Sequence, residues 1–317
     1  MDSSEDELIT AIGQVLSGSG PDVVVPVGDD AAVVRGGTGD LVLTADALVE
    51  GTHFDRAMST PHDLGYKAIV VSVSDIAAMA GSPRYALCAL TLSDDVDSGW
   101  AMELFGGMRE ACDEFACTLV GGNLAHGSEV TVAITVTGEV ARGAAVRRSG
   151  AAPGNVVVVT GSLGGAAAGR RLARLGAPWT EEELDAIRRQ ERPAPRVGEA
   201  PVLARNGATA MIDVSDGLTR DLVRICEASG VGVRLDLATI PAHPAAAEGE
   251  ALGGGEDYEL LATMPSGSAT AGAALELAAV FATPLTAIGT IVAEGLQMID
   301  IDGVTRPLEP AGWNHFG

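Results

Sequence analysis

Aspartates close four short apolar runs in this chain. VVVPVGDD presents Asp29 and Asp30, LVLTAD ends in Asp46, VVSVSD ends in Asp75, and MIDVSD carries Asp213 and Asp216. Each run reads as a strand that delivers carboxylates among small residues. Gathered carboxylates are costly unless cations neutralise them. Hard oxygen ligands of this kind suit Mg²⁺ or a similar ion. Two of the acids have a plainer reading. Asp75 and Asp216 each follow a serine and precede a helical pattern, where they would act as N-caps. Asp29, Asp30 and Asp46 fit that reading less well, because strand-like sequence continues after Asp30.

Other chemistry is sparse. The sequence has no G-x-x-x-x-G-K-[ST] loop, no G-x-G-x-x-G after a strand and no protein-kinase H-R-D set. TGSLGG at Thr160–Gly165 reads equally as an anion site at a helix N-terminus or as a tight strand–helix turn. Arg147 and Arg148 form a basic pair that could meet phosphates, or a solvated loop. His53, His126 and His315 lack zinc spacing. No general base or nucleophile stands out. Transfer to a hydroxyl usually wants a base, whereas a phosphate acceptor is already ionised near neutral pH. Metal positioning and charge neutralisation could then supply most of the catalysis.

These side chains sit in a chain of 317 residues with a formal net charge of −23. The length suits two domains. The acidity argues against nucleic acid or an anionic membrane as partner, and divalent cations would offset its repulsion of a phosphorylated substrate. Lys67 is the only lysine among 20 basic residues, which points to a bias toward Arg. The four cysteines form no C-x-x-C pair and read as small core residues. The acidic start, MDSSEDELIT, does not resemble a signal peptide, and no apolar run is long enough for a bilayer. The expected location is the cytoplasm.

Strand and helix patterns alternate throughout, which predicts a two-domain mixed α/β protein. An amphipathic helix is expected over 3–16 and strands over 23–27, 31–35 and 41–45. A helix is expected over 63–73, with Ser74-Asp75 capping a second one at IAAMAG. Strands follow at 85–92, at 118–120 (entering Gly121-Gly122-Asn123) and at 130–140, with a helix over 98–115 between the first two. RRSGAAPGN at Arg147–Asn155 reads as the boundary, giving domains of residues 1–147 and 148–317. In the second domain, strands are expected at 156–160, 208–214, 231–237, 258–263, 287–291 and 297–300. Helices are expected at 166–175, 181–191, 218–229 (capped by Ser215-Asp216) and 269–281.

A resemblance adds to this reading. GDDAA at Gly28–Ala32, TADALVEGTHF at Thr44–Phe54 and YKAIVVSVSDIAAMAG at Tyr66–Gly81 are similar to the thiamine-monophosphate kinase family. So are RSGAAPG at Arg148–Gly154, RPAPR at Arg192–Arg196, IDVSDGL at Ile212–Leu218, GGEDYEL at Gly254–Leu260 and GWNHF at Gly312–Phe316. The match runs in order over essentially the whole chain. Single motifs are shared with the wider aminoimidazole-ribonucleotide synthetase and selenophosphate synthetase superfamily.

The resemblance implies ATP-dependent phosphorylation of thiamine monophosphate to thiamine diphosphate, with several Mg²⁺ ions. It implies an aminoimidazole-ribonucleotide synthetase-like fold. The N-terminal α/β domain would pair its sheet across a homodimer, and the C-terminal domain would be α+β. By motif position, the Mg²⁺ cage draws on Asp30, Thr44, Ala45, Asp46, Asp75, Asn123, Asp213 and Asp216. Gly122, Arg148 and Ser215 contact ATP; His53, Glu256 and Trp313 line the thiamine site. A cationic thiazolium suits an acidic protein and an aromatic such as Trp313.

Three departures stand out. Asn123 replaces the family's GGD aspartate, so one Mg²⁺ site is expected to be weaker. Ala45 removes a hydroxyl from the TTD or STD triplet, and Ser72 replaces an asparagine. Two alternatives follow: another ATP-using synthetase of this superfamily, or a Mg-nucleotide binding protein without turnover.

Overall fold

The computed structural model describes residues 11–15, 22–25, 33–34 and 36–313. Residues 11–15 are helical; the rest of the helix expected over 3–16 lies outside the described residues. The chain forms two compact units. One comprises Met1–Ile76 and Gly81–Ala144, the other Ala77–Ala80 and Ala145–Gly317.

The first unit opens with β1 (Val23–Val25) and β2 (Val33–Val34), an antiparallel pair with Val23 opposite Val34. Asp29 and Asp30 fall between them in sequence and outside the described residues. Four strands follow: β3 (Asp40–Val49), β4 (Ser82–Leu92), β5 (Thr118–His126) and β6 (Thr131–Val140). Their sheet runs β3-β6-β4-β5, with β4 and β5 parallel across helix α2 (Ser98–Glu114). Asp97 caps α2, its side chain accepting the Trp100 N–H at 2.7 Å.

Helix α1 (Pro61–Ala78) corrects the sequence reading. One helix runs through Val70–Asp75, so VVSVSD is not a strand and Asp75 is not a cap. Ile69, Val70, Val71, Val73, Ile76 and Ala77 are all buried. Burial on nearly every side overrides the weak helix propensity of valine and serine and hides the one-faced pattern. A second correction concerns Gly121-Gly122-Asn123, which lies inside β5 rather than beyond a strand end.

The second unit is a seven-stranded sheet in the order β13-β12-β9-β11-β7-β10-β8. Its strands are β7 (Val156–Thr160), β8 (Ala210–Asp213), β9 (Gly232–Asp236), β10 (Leu260–Met264), β11 (Leu285–Val292), β12 (Leu296–Ile299) and β13 (Thr305–Pro307). Only β9 and β12 pair in parallel. The helices are α3 (Gly165–Leu175), α4 (Glu181–Glu191), α5 (Ala200–Arg205), α6 (Leu218–Ser229), α7 (Glu250–Gly253) and α8 (Ser268–Phe281). The short α5, α7 and β13 escaped the sequence reading. Val157, Val159, Ile212, Leu261 and Ile288 share one apolar cluster with α6, while Val158, Met211 and Ala262 join α5 and α8 in another. The uniformly apolar strand β7 thus feeds both layers, as expected for a strand buried on both faces.

Candidate active site

In the first unit the acids meet across a strand and a helix. Thr44 and Asp46 are two apart on β3 and share a face; Ser72 and Asp75 are three apart on α1 and share another. The Thr44 hydroxyl donates to Asp75 Oδ2 at 2.5 Å, and the Ser72 hydroxyl donates to Asp46 Oδ2 at 3.0 Å. Burial, and then the Asp75 charge, push the Asp46 pKa up to about 6 against the Ser72 bond. Two carboxylates held this way form an electrostatically unfavourable pair that a cation would relieve. Ser72 thus has a site role: it orients Asp46.

Ala45 and Asn123 do not join that pair. Strand register puts Asp46, Ile134, Cys88 and Gly122 in one row, and Ala47, Ala133, Ala89 and Asn123 in the next. Adjacent rows point to opposite faces. Ala45 and Asn123 are exposed, as are Leu41, Leu43, Leu87 and Ala89 on the same face. Gly122 has a packing reason to be glycine, since an added Cβ would lie 1.8 Å from the Cys88 carbonyl oxygen. His53 follows β3 and accepts the Val49 N–H at Nδ1, 3.1 Å away. Its other ring nitrogen then carries the proton in the neutral form.

In the second unit, backbone bonds gather four of the named residues. Glu256 N–H donates to the Ser215 carbonyl at 2.8 Å, and Trp313 N–H donates to the Asp216 carbonyl at 3.0 Å. Asp213 ends β8, buried, two residues before Ser215. The Trp313 side chain is 44 % exposed, and Arg170 lies 3.9 Å from the Glu256 carboxylate.

Neither Ser215 nor Asp216 caps α6. Asp216 pairs with Arg224 at 2.5 Å, and the N–H groups of Ser215, Asp216 and Gly217 all donate to Asp221 Oδ2 at 3.1 Å. Asp221, fully buried, is the anion at this helix start. The sequence reading passed over it, although an acid in a first helical turn carries that signal.

Arg148 stands apart. It is exposed, and its carbonyl accepts the Ser229 hydroxyl at 3.1 Å, at the far end of α6 from Ser215. A helix of this length separates the two by about 16 Å at 1.5 Å per residue.

TGSLGG resolves into a turn whose anion is internal. Asp257 accepts the Gly164 N–H at 2.6 Å and the Ala166 N–H at 3.2 Å. That carboxylate occupies the N-terminus of α3 that had seemed open to a phosphate. Among the described residues, no three His, Cys, Asp or Glu side chains converge as a metal site.

Comparison with known proteins agrees over both units. The family model for AIR synthase related protein, N-terminal domain, matches residues 28–140, and that for the C-terminal domain matches residues 152–301. Thiamine-monophosphate kinase of Escherichia coli (strain K12) is 37 % identical over 309 residues, 93 % of each chain. The crystal structure of thiamine-monophosphate kinase from Stenotrophomonas maltophilia K279a superposes with a TM-score of 0.84 at 32 % identity, covering 98 % of this chain and 99 % of that one. AaThiL complexed with AMPPCP and TMP superposes with a TM-score of 0.78 at 32 % identity, covering 98 % and 97 %. The chain belongs to the AIR synthase related family and, within it, to the thiamine-monophosphate kinases.

Proposed function

We propose that this chain transfers the terminal phosphoryl group of ATP to the phosphate of thiamine monophosphate, giving thiamine diphosphate and ADP. The observation that carries this is the near-full-length identity to thiamine-monophosphate kinases, one relative having been solved with AMPPCP and TMP. The acceptor oxygen is already ionised near neutral pH, so the lack of an evident base is consistent with the reaction.

The paired Asp46 and Asp75 carboxylates and the Thr44 hydroxyl are hard oxygen donors whose mutual repulsion a small divalent cation would relieve, so they fit Mg²⁺. They would hold it together with Asp30; in the second unit Asp213 is the corresponding acid. Mg²⁺, when bound, supplies charge neutralisation for the phosphates. Ser72 and Thr44 hold the two carboxylates in place. Asp216 is already neutralised by Arg224 and would have to exchange that partner to bind a metal. Asn123 and Ala45, on the other sheet face, would serve a cation only apart from Asp46.

Ser215, Gly122 and Arg148 are the proposed ATP contacts, with Arg148 reaching a different part of the nucleotide from Ser215. His53, Glu256 and Trp313 are the proposed thiamine contacts. The exposed indole suits a cationic ring, and the Glu256 carboxylate complements its charge. The uncovered sheet face, with Leu41 66 % and Leu43 64 % exposed, supports a homodimer.

The test is direct: purified chain, ATP, Mg²⁺ and thiamine monophosphate, with thiamine diphosphate measured and EDTA as control. Thiamine diphosphate that appears only with the metal is the expected result. ADP without it would point to another synthetase substrate, and ATP binding without turnover to a binding protein.

A further inference from the structure

The turn that carries Glu256 is anchored along its length. Glu256 and Tyr258 both adopt left-handed backbones, with φ +71° and +50°. Side-chain-bearing residues rarely hold that conformation unless their surroundings impose it. Here the surroundings are explicit. Glu256 N–H reaches the Ser215 carbonyl at 2.8 Å, Tyr258 N–H the Val214 carbonyl at 2.9 Å, and Val214 N–H the Glu259 carbonyl at 2.8 Å. Gly255 has no room for a Cβ, which would sit 2.6 Å from the Ser215 oxygen.

The flanking acids point into the unit. Asp257 takes the Gly164 and Ala166 N–H groups at the start of α3, where Gly164 has no side chain with which to cap. Glu259 is gripped by Arg196 through two bonds, 2.7 and 2.5 Å, and by the Thr160 hydroxyl at 2.6 Å. Glu256 is the acid of the three that these anchors leave at the Ser215–Trp313 cluster.

We propose that Asp257 is a positioning residue for thiamine monophosphate: by docking on the α3 N-terminus it holds the adjacent Glu256 in its left-handed backbone and presents that carboxylate to the cationic part of the substrate. The proposal rests on the reading of Glu256 as a substrate contact. Without the anchor, the backbone at Glu256 relaxes toward φ below zero and its carboxylate turns away, while the ATP contacts keep their own supports.

A double-mutant cycle tests this, with kcat and both KM values measured for wild type, Glu256→Gln, Asp257→Ala, Asp257→Asn and the Ala/Gln double variant. Asp257→Ala should raise KM for thiamine monophosphate about tenfold and leave KM for ATP within about twofold. Asp257→Asn keeps one acceptor oxygen and should fall between. In the Glu256→Gln background, Asp257→Ala should add less than about twofold, because both changes act through one carboxylate.

Equal shifts in both KM values, or full multiplication of the two single effects, would overturn the proposal, as would a loss of thermal stability with unchanged KM. If Glu256→Gln alone leaves KM for thiamine monophosphate unchanged, the Glu256 reading fails and takes the proposal with it; that single variant tells the two failures apart. Should Asp257→Ala not fold, Asp257→Asn with and without Glu256→Gln completes the same cycle.

Discussion

Asp46 and Asp75 show how much chemistry a pair of side chains can hold before any ligand arrives. Each carboxylate has a hydroxyl donor, and neither has a cation among its hydrogen-bond partners given above. Replacing one removes repulsion as well as a metal ligand. Asp75→Asn should therefore lower kcat on the order of 100-fold while the melting temperature of the metal-free protein holds or rises; parallel kinetics and thermal melts check both. A variant that unfolds but keeps full specific activity in its folded fraction would make the acid structural.

Asp257 gives a second residue-scale prediction. Burial lifts its pKa from 3.8 to about 7, against the Gly164 and Ala166 N–H groups and the Arg189 charge and with help from Glu259. The folded chain thus keeps a proton that the unfolded chain has released. Its contribution to stability falls as pH rises from about 4 to about 7 and is flat above that. Asp257→Asn abolishes this slope. The stability of wild type relative to the variant should decline between pH 5 and pH 8, measured by denaturant unfolding at each pH.

Elements decide which side chains can meet. On β3, alternation sends Thr44 and Asp46 to the α1 face and Ala45 to the other, so a contiguous sequence triplet is split in space. On β5 the same alternation separates Gly122 from Asn123. Parallel pairing brings β5 so close to β4 that Gly122 faces the Cys88 carbonyl, a backbone atom that cannot swing away. Gly122→Ala should therefore cost about 1–3 kcal/mol of stability, read from the urea midpoint. Unchanged stability with a raised KM for ATP would show that the glycine serves the nucleotide alone. The α1 helix makes the complementary point: its serine and aspartate pass through a buried segment, and only as a helix do Ser72 and Asp75 face β3 together.

At the scale of the whole molecule, the first unit leaves one sheet face uncovered, with Leu41, Leu43 and Leu87 exposed. Such a surface on a free chain is a liability that a second copy removes. Paired Leu41→Glu and Leu43→Glu changes should halve the mass seen by light scattering and leave secondary structure intact. An unchanged mass would place any association elsewhere. The net charge of −23 sets the other whole-molecule constraint, since phosphorylated substrates approach against it and depend on divalent cations.

The sequence by itself determined the acids, the boundaries of the long periodic elements (helices Glu181–Glu191 and Leu218–Ser229 fall where their patterns and breakers place them) and the family motifs that name the chemistry. Those signals are local, written within a few residues of the groups they describe. Only the tertiary structure decided that VVSVSD is helix, because burial from all sides erases the periodicity that marks one. It alone paired Asp257 with Gly164 across 93 positions and Arg196 with Glu259 across 63. It also handed the α6 N-terminus to Asp221 and paired Asp216 with Arg224. A hydrogen-bond partner is fixed by where folding places two distant segments, and residue spacing along the chain carries no record of it.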